Sequence, residues 1–334
     1  MSRQEIPPPL TAHRSRPDGQ QESGWARALE EWMRQRSEQF GWRSGRLQVV
    51  RVINPSGWHA NVACTVSDGV STLHVKLTRA HAGLRRAYEM RDRLTSRYHA
   101  PPILAWVDLG DLVGIAMPSI AARPATELLL ADLIAVANRL HEDHELAAAL
   151  PDQPLTLRQA FLDLWIERFV SDLEELESAR KVPPFVSAGT FEWMRAETSR
   201  LATVASSGAF DGPTVSPVHG DLHFGNVLVE PDGRWWLIDW DELHRGDPAA
   251  DLAILLTPLI ERNGSVDHFL GPRDAPFMER FALCARAVIL DGAIDSLTDW
   301  ADADAVPGAR DAVRTEKRAT HEHALRSYRE RYSQ

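Results

Sequence analysis

The segment from Val218 to Asp241 constrains the fold of this 334-residue chain more tightly than any other. Two short β-like runs, Val227 to Glu230 and Arg234 to Ile238, are joined by Pro231-Asp232-Gly233, a turn signal that predicts an antiparallel hairpin. His219-Gly220-Asp221-Leu222-His223-Phe224-Gly225-Asn226 leads into the first run, and Asp239-Trp240-Asp241 follows the second. A two-residue loop at Asp232-Gly233 sets Asn226 opposite Asp239; a three-residue loop shifts the pairing by one. In either register an amide oxygen and a carboxylate meet at the open end of the ribbon, with Asp221 on the loop just upstream.

Those groups have a chemical reading. Two oxygen donors suit Mg²⁺, which takes hard ligands and is usually held by one or two protein groups together with substrate phosphates. Asp221 is then better used to orient an acceptor hydroxyl and take its proton as a phosphoryl group transfers. Catalysis of that kind is mostly positioning and charge neutralisation.

The rest of the chain divides by pattern. Residues 1–23 are rich in Pro, Gln, Arg and Ser and read as a disordered tail. An amphipathic helix follows, with Trp25, Ala28, Leu29, Trp32, Met33 and Phe40 at helical spacing. Three β-like runs, Leu47 to Ile53, Asn61 to Val66 and Ser71 to Leu77, suggest an antiparallel meander. A helix from about Ala82 to Tyr98 and two more strands, Ile103 to Asp108 and Leu112 to Met117, complete a small lobe over residues 24–118. Residues 119–334 then read as mostly helical, with stripes through Leu128 to His141, Phe161 to Leu176 and Phe191 to Val204. The fold class is therefore α+β: a small antiparallel-sheet lobe followed by a larger helical one.

The motif residues resemble a known family. His219-Gly220-Asp221 through Asn226, then Ile238-Asp239, then Gly246-Asp247-Pro248-Ala249-Ala250-Asp251-Leu252-Ala253, look like the aminoglycoside phosphotransferase and choline kinase family, which shares the bilobal protein-kinase-like fold. The resemblance is most specific over about Val218 to Leu255. It implies Asp221 as the catalytic base or hydroxyl-orienting group, Asn226 and Asp239 as Mg²⁺ ligands, and Asp251 as a brace for the catalytic loop, with His219 a hydrogen-bonded loop residue in support. Asp247, ahead of Pro248, reads either as a turn residue or as part of the acceptor cleft.

In such a family a third-strand lysine grips the α- and β-phosphates and a helix acid holds that lysine. Lys76 is the only lysine before Lys181, and Glu89 is its expected partner, with Asp92 the fallback. Asn54-Pro55-Ser56-Gly57-Trp58-His59-Ala60-Asn61 occupies the place of a phosphate loop, with Ser56, Gly57 and Asn61 as candidate contacts, although it holds a single glycine. Met117-Pro118-Ser119 lies at the junction of the lobes, where the resemblance implies that Met117 and Ser119 meet the base of ATP or GTP through the backbone; Pro118 removes one amide donor.

Bulk properties narrow the remaining choices. A net charge of −10 disfavours a generic nucleic-acid binder and is compatible with a cationic, hydroxylated small acceptor. Two cysteines, Cys64 and Cys284, offer neither a disulfide framework nor a zinc site. No apolar run reaches the roughly 18 residues of a membrane span and no signal peptide opens the chain, so a cytoplasmic enzyme without a membrane partner is expected. His141 and His144 are three apart, not in the spacing of a zincin helix, and Gly220 and Gly225 place His219 and His223 on a loop. Glu261, Asp291, Asp295 and Asp299 could meet an amine, against the plainer reading of a solvated helix face. The expected activity is transfer of a nucleoside triphosphate's γ-phosphate to a hydroxyl. The alternative is a catalytically silent nucleotide-binding module, against which Lys76, Asp221, Asn226 and Asp239 all stand intact.

Overall fold

The computed structural model describes residues 22–42, 47–51, 62–79, 82–151, 155–262, 264–305 and 310–332. Chain contacts divide it after Ala121 into two units. The first unit opens with α1 (Glu22–Arg34), whose stripe buries Leu29 and Met33 completely. Five strands follow or intervene: β1 (Gln48–Arg51), β2 (Val62–Ser67), β3 (Thr72–Thr78), then α2 (Ala82–Glu89) and α3 (Arg91–Tyr98), then β4 (Ala105–Asp108) and β5 (Val113–Pro118). Their order is β1-β2-β3-β5-β4, antiparallel throughout. The expected meander therefore holds for the first three strands, and β5 then takes the place beside β3, leaving β4 at the edge.

Alternation sorts the faces of this sheet. Leu73, Val75 and Leu77 are buried with Cys64, Val66, Ala105, Val107 and Ala116 in one cluster with α1 residues Leu29 and Met33. Lys76 points to the other face, paired with Ala63 on β2 and Ile115 on β5. Trp106 pairs with Ile115 and so shares that face, where Tyr88 of α2 packs on it with ring centroids 5.7 Å apart. Lys76 thus lies on the central strand, on the face that carries α2.

The single helix expected over Ala82 to Tyr98 is bent at Met90, whose φ of −93° and ψ of 2° leave the helical region. Met90 N still bonds Arg86 O and Leu94 N bonds Met90 O, both at 3.0 Å, so the apolar stripe runs across the bend. Neither Gly nor Pro marks the position, and for that reason periodicity alone passes over it.

The second unit begins with a short strand, β6 (Arg123–Pro124), and then α4 (Leu130–His141) and α5 (His144–Ala149). Next come α6 (Leu157–Phe161), a π-helical turn at Leu162–Ile166 and α7 (Glu167–Ser178), running on from one another, and α8 (Ala188–Val204). The strands β7 (Ser216–Val218), β8 (Val227–Val229), β9 (Trp235–Leu237) and β10 (His244–Gly246) precede α9 (Pro248–Glu261), α10 (Asp267–Leu270), α11 (Ala275–Asp302) and α12 (Arg310–Tyr332). Sequence reading finds β8 and β9 but misses β6, which pairs with β8, and the β7–β10 pair, because two- and three-residue strands carry no period to detect.

Buried Glu197 ties the last helix down: it accepts from Tyr328 Oη and, at 2.7 Å, from Arg286 Nη2, and pairs with Arg200 at 2.9 Å. No helix among the described residues is long and apolar enough to cross a membrane.

Candidate active site

Two pairings build the site. β7 and β10 run antiparallel, with Val218 opposite His244, so the loop that starts at His219 is held against the segment that follows Asp239. β8 and β9 form the hairpin, with Val227 opposite Leu237 and Val229 opposite Trp235. This is the three-residue-loop register. Glu230 N donates to Arg234 O at 2.8 Å, Gly233 N donates to Glu230 O at 3.0 Å, and Gly233 takes φ +91°. A type I turn closed by a left-handed glycine is the usual three-residue solution. Asn226 consequently faces Ile238, whose N donates to Asn226 O at 2.9 Å, and the two-residue register that set Asn226 opposite Asp239 is corrected by one place. Asp239 follows at once, at φ 62° and ψ 53°, where the chain leaves the ladder.

The loop from His219 to Phe224 is pinned from below. Asp251, 1% exposed in the first turn of α9, accepts His219 N at 2.8 Å and Gly220 N at 2.9 Å, and its Oδ2 lies 3.1 Å from His141 Nε2. α9 starts where it does because Asp247 caps it, accepting Ala249 N at 3.0 Å, and because Pro248 fills the first helical position, where no N–H is needed. Gly220 has φ +87°, and a Cβ there would sit 2.6 Å from Glu242 O, so both backbone angle and space call for glycine.

His219 is fully buried, with Nε2 at 3.0 Å from Ile238 O and Nδ1 accepting Asp221 N at 3.3 Å. Its ring centroid is 4.7 Å from that of Trp240. Burial lowers its pKa against the pull of Asp251, Asp221 and Asp239, which keeps it a neutral strut between loop and hairpin.

Asp221 supplies the carboxylate of this loop. Its side chain is 48% exposed; Oδ2 accepts Asn226 Nδ2 at 2.8 Å and lies 3.4 Å from His223 Nε2. Burial alone would raise its pKa, but His223, through hydrogen bond and charge, and the Asn226 amide outweigh it and bring the carboxyl down to about 2. The partner moves the other way: burial works against the charge on His223, and the Asp221 carboxylate, with Asp239, overrides it and raises the imidazole. Asp239 also acts electrostatically on His219, so Asp221 and Asp239 converge on the same pair of histidines. Asn226 is buried and spends its Nδ2 on both Asp221 Oδ2 and Asp221 O, the latter at 2.9 Å, which leaves the amide oxygen for another partner.

The other candidates spread over both units. Ser56, Gly57 and Asn61 lie outside the described residues. Glu89 pairs with Arg85, one turn back on α2, at 2.8 Å, both about half exposed. Ser119 N donates to Thr72 O at 3.0 Å, extending the β3–β5 ladder, so its amide is not available to a base; Met117 sits in β5 opposite His74. Asp247 is not an open acceptor group: it is buried and paired with Arg280 of α11 at 2.8 Å. Sequence reading had no means to find that cation, 33 positions downstream.

The helix acids offered for an amine are also largely engaged, and they are not a solvated face. Asp299 is buried against Lys317 at 2.8 Å, Asp291 pairs with Arg168, and Glu261 stands 3.8 Å from His323. Asp291 is pushed up to about 7, chiefly by burial and then by neighbouring Asp295 and Asp172, against the pull of Arg168. An acid whose folded pKa exceeds its unfolded value near 3.9 contributes stability that is complete below about pH 4 and lost as the pH rises through 7. Thermal melts of Asp291→Asn should therefore decline less between pH 5.5 and 8 than those of the wild type; equal slopes would mean that Asp291 is already ionised throughout.

Among the described residues no group of three or more His, Cys, Asp or Glu forms a ready metal cage. Asn226 and Asp239 both stand at the open end of the hairpin, Asn226 facing Ile238 and Asp239 following it.

With this geometry in view, the comparisons carry weight. No curated protein matches the chain by sequence. Among solved structures, spectinomycin phosphotransferase APH(9)-Ia with ADP and spectinomycin is 13% identical, covering 90% of this chain and 98% of that one at a TM-score of 0.53. Aminoglycoside phosphotransferase APH(4)-Ia with ADP and hygromycin B is 15% identical, covering 90% and 98% at 0.52. Ethanolamine kinase from Plasmodium vivax is 12% identical, covering 84% and 82% at 0.52. At these identities the likeness establishes the kinase-like fold. The model of the phosphotransferase enzyme family matches residues 50–281, a span that takes in Lys76 and the entire segment from His219 to Asp251. This chain therefore belongs to the phosphotransferase enzyme family, as its catalytic-loop motif led one to expect.

Proposed function

We propose that the protein is a small-molecule kinase that moves the γ-phosphoryl group of ATP or GTP to a hydroxyl of a small acceptor. The observation that carries this reading is the Asp221 carboxylate, fixed by Asn226 and His223 beside a hairpin that ends in Asp239. Lys76, on the α2-bearing face of its sheet, is assigned to the α- and β-phosphates, with Glu89 or Asp92 of the adjoining helices as its acid. Asn226 and Asp239 would hold Mg²⁺, which when bound neutralises charge on the β- and γ-phosphates. Asp251 and His219 are assigned to holding the loop in shape.

The gap between the pKa of an alcohol and that of a carboxylate bears on how Asp221 acts. An alcohol titrates near water, about 15.7, so complete proton transfer to a carboxylate at about 2 would cost on the order of 15–20 kcal/mol before any bond to phosphorus formed. A turnover of about 10 per second allows only about 16 kcal/mol in all. Asp221 therefore orients the hydroxyl and accepts its proton late, as the new O–P bond forms and the bond to the β-phosphate oxygen breaks.

The acceptor class is a hydroxylated amine or sugar. Asp247, Asp291 and Asp299 are paired with Arg280, Arg168 and Lys317 of the chain itself, which favours an acceptor of modest charge over a polycation. The test is ADP or GDP release from Mg-ATP and Mg-GTP across choline, ethanolamine, sugars and aminoglycosides, with ³¹P NMR of the product. One acceptor should stand out and give a phosphate monoester. Thermal stabilisation by Mg-nucleotide with no turnover on any acceptor would reduce the protein to a binding module.

A further inference from the structure

His223 is held by contacts that fix which of its ring nitrogens carries hydrogen. Nδ1 accepts Gly225 N at 3.0 Å, an arrangement possible only when that nitrogen has no proton. A neutral ring must then carry its hydrogen on Nε2, the atom 3.4 Å from Asp221 Oδ2. Space for the ring is built in. A Cβ on Gly225 would lie 2.6 Å from His223 Cε1 and 2.7 Å from Nδ1, and those are the only atoms it would meet below 3 Å. Gly225 shows no left-handed backbone that would require glycine, so what its lack of a side chain supplies is room for this imidazole.

The consequence falls on Asp221. Asn226 Nδ2, at 2.8 Å, and His223 Nε2, at 3.4 Å, both approach the same oxygen, Oδ2, so the two hold the carboxylate by one edge. We infer that His223 is a positioning residue for phosphoryl transfer: its Nε2–H, oriented by the Gly225 amide, fixes the rotamer in which Asp221 presents Oδ1 to the acceptor hydroxyl. This rests on the assignment of Asp221 above. It adds a second determinant of carboxylate geometry, one that lies on the loop itself and is about half exposed, so it can be removed with little cost to the core.

Because His223 acts through Asp221, its removal should be silent once Asp221 is disabled. Turnover is read as ADP release from Mg-ATP with whichever panel acceptor is active, or with water alone, for the wild type, His223→Ala, His223→Gln, Asp221→Asn and the Asp221→Asn/His223→Ala double variant. His223→Ala should lower kcat about 10- to 100-fold, within the range of a misplaced catalytic group, with KM for Mg-ATP changed less than about threefold. Glutamine, whose amide N–H can reach the same oxygen, should recover part of the loss. The double variant should match Asp221→Asn alone.

A wild-type kcat in His223→Ala, or a loss of equal size in the Asp221→Asn background, overturns the inference and leaves the kinase reading standing. An Asp221→Asn enzyme of full activity sinks the kinase reading itself. Independently of turnover, long-range ¹H–¹⁵N correlation spectra of the full-length protein should show His223 as the Nε2–H form at pH 8; an Nδ1–H signal refutes the geometry directly.

Discussion

Asp221→Asn should lower kcat by about 10²- to 10⁴-fold, the usual cost of losing a positioned proton acceptor, while the dissociation constant for Mg-nucleotide stays within a few fold. The asparagine keeps size and shape and can still accept from Asn226 Nδ2, so the loop should not refold around it. What it loses is the negative charge that orients the acceptor hydroxyl and receives its proton. The pH dependence follows from the same carboxylate. With its pKa brought down to about 2, Asp221 is ionised across the whole usable range, and kcat/KM of the wild type should show no acid limb from this group above about pH 4. Stopped-time ADP assays and isothermal titration separate the two quantities. An Asn variant that binds nucleotide and turns over at the wild-type rate would remove Asp221 from the mechanism.

Asp251→Ala should be the most damaging single change to stability, by about 3–5 kcal/mol, the cost of breaking a buried ionic hydrogen-bond cluster from one side. Three donors depend on that carboxylate, namely the backbone N–H groups of His219 and Gly220 and the ring of His141, and all four residues are buried or half-buried. Each stranded donor costs about 1–3 kcal/mol, partly recovered if water enters. For a unit of this size the loss corresponds to a fall in Tm of roughly 10 °C, with kcat falling as well because the loop carries Asp221.

The sign of the pH effect is opposite to that of Asp291. Burial would raise Asp251, but His141, through hydrogen bond and charge, and the His219 amide outweigh it and hold it below its ordinary value. Its stabilisation is thus present above about pH 4 and lost as the pH falls through the lowered pKa. Differential scanning calorimetry of wild type and variant at pH 7 and pH 3 should show the gap in Tm narrowing on acidification. An Asp251→Ala protein with unchanged Tm and kcat would show that the loop holds its shape without the brace.

The shape of the segment from His219 to Pro248 was legible because its information is local. Gly220 and Gly233 answer to backbone angles, Pro248 to a missing amide, and Pro231-Asp232-Gly233 to a turn, and each signal lies within a few residues of the element it shapes. The strands β2 and β3 were readable for a similar reason, since alternation over six or seven residues registers one buried face.

Other features had no local signature. The hairpin register turned on one residue, and Pro-Asp-Gly is compatible with either loop length, so only the Glu230–Arg234 pairing settles it. Asp247 reads from its neighbours as a turn residue or a cleft group, and its pairing with Arg280 of α11, like that of Glu89 with Arg85, is visible only in the fold. His223 carries no local signature beyond its place on a loop, because its contacts to Asp221 and Gly225 depend on how that loop folds.

The lobe order, the central-strand lysine and the turns of the loop were legible from sequence, since glycine, proline and alternating apolar residues limit what their own neighbourhood can do. Which charges cancel and which nitrogen of His223 faces Asp221 were decided by tertiary structure alone. Those outcomes depend on distances between residues far apart in the chain, and electrostatics and burial act through space without regard to sequence separation.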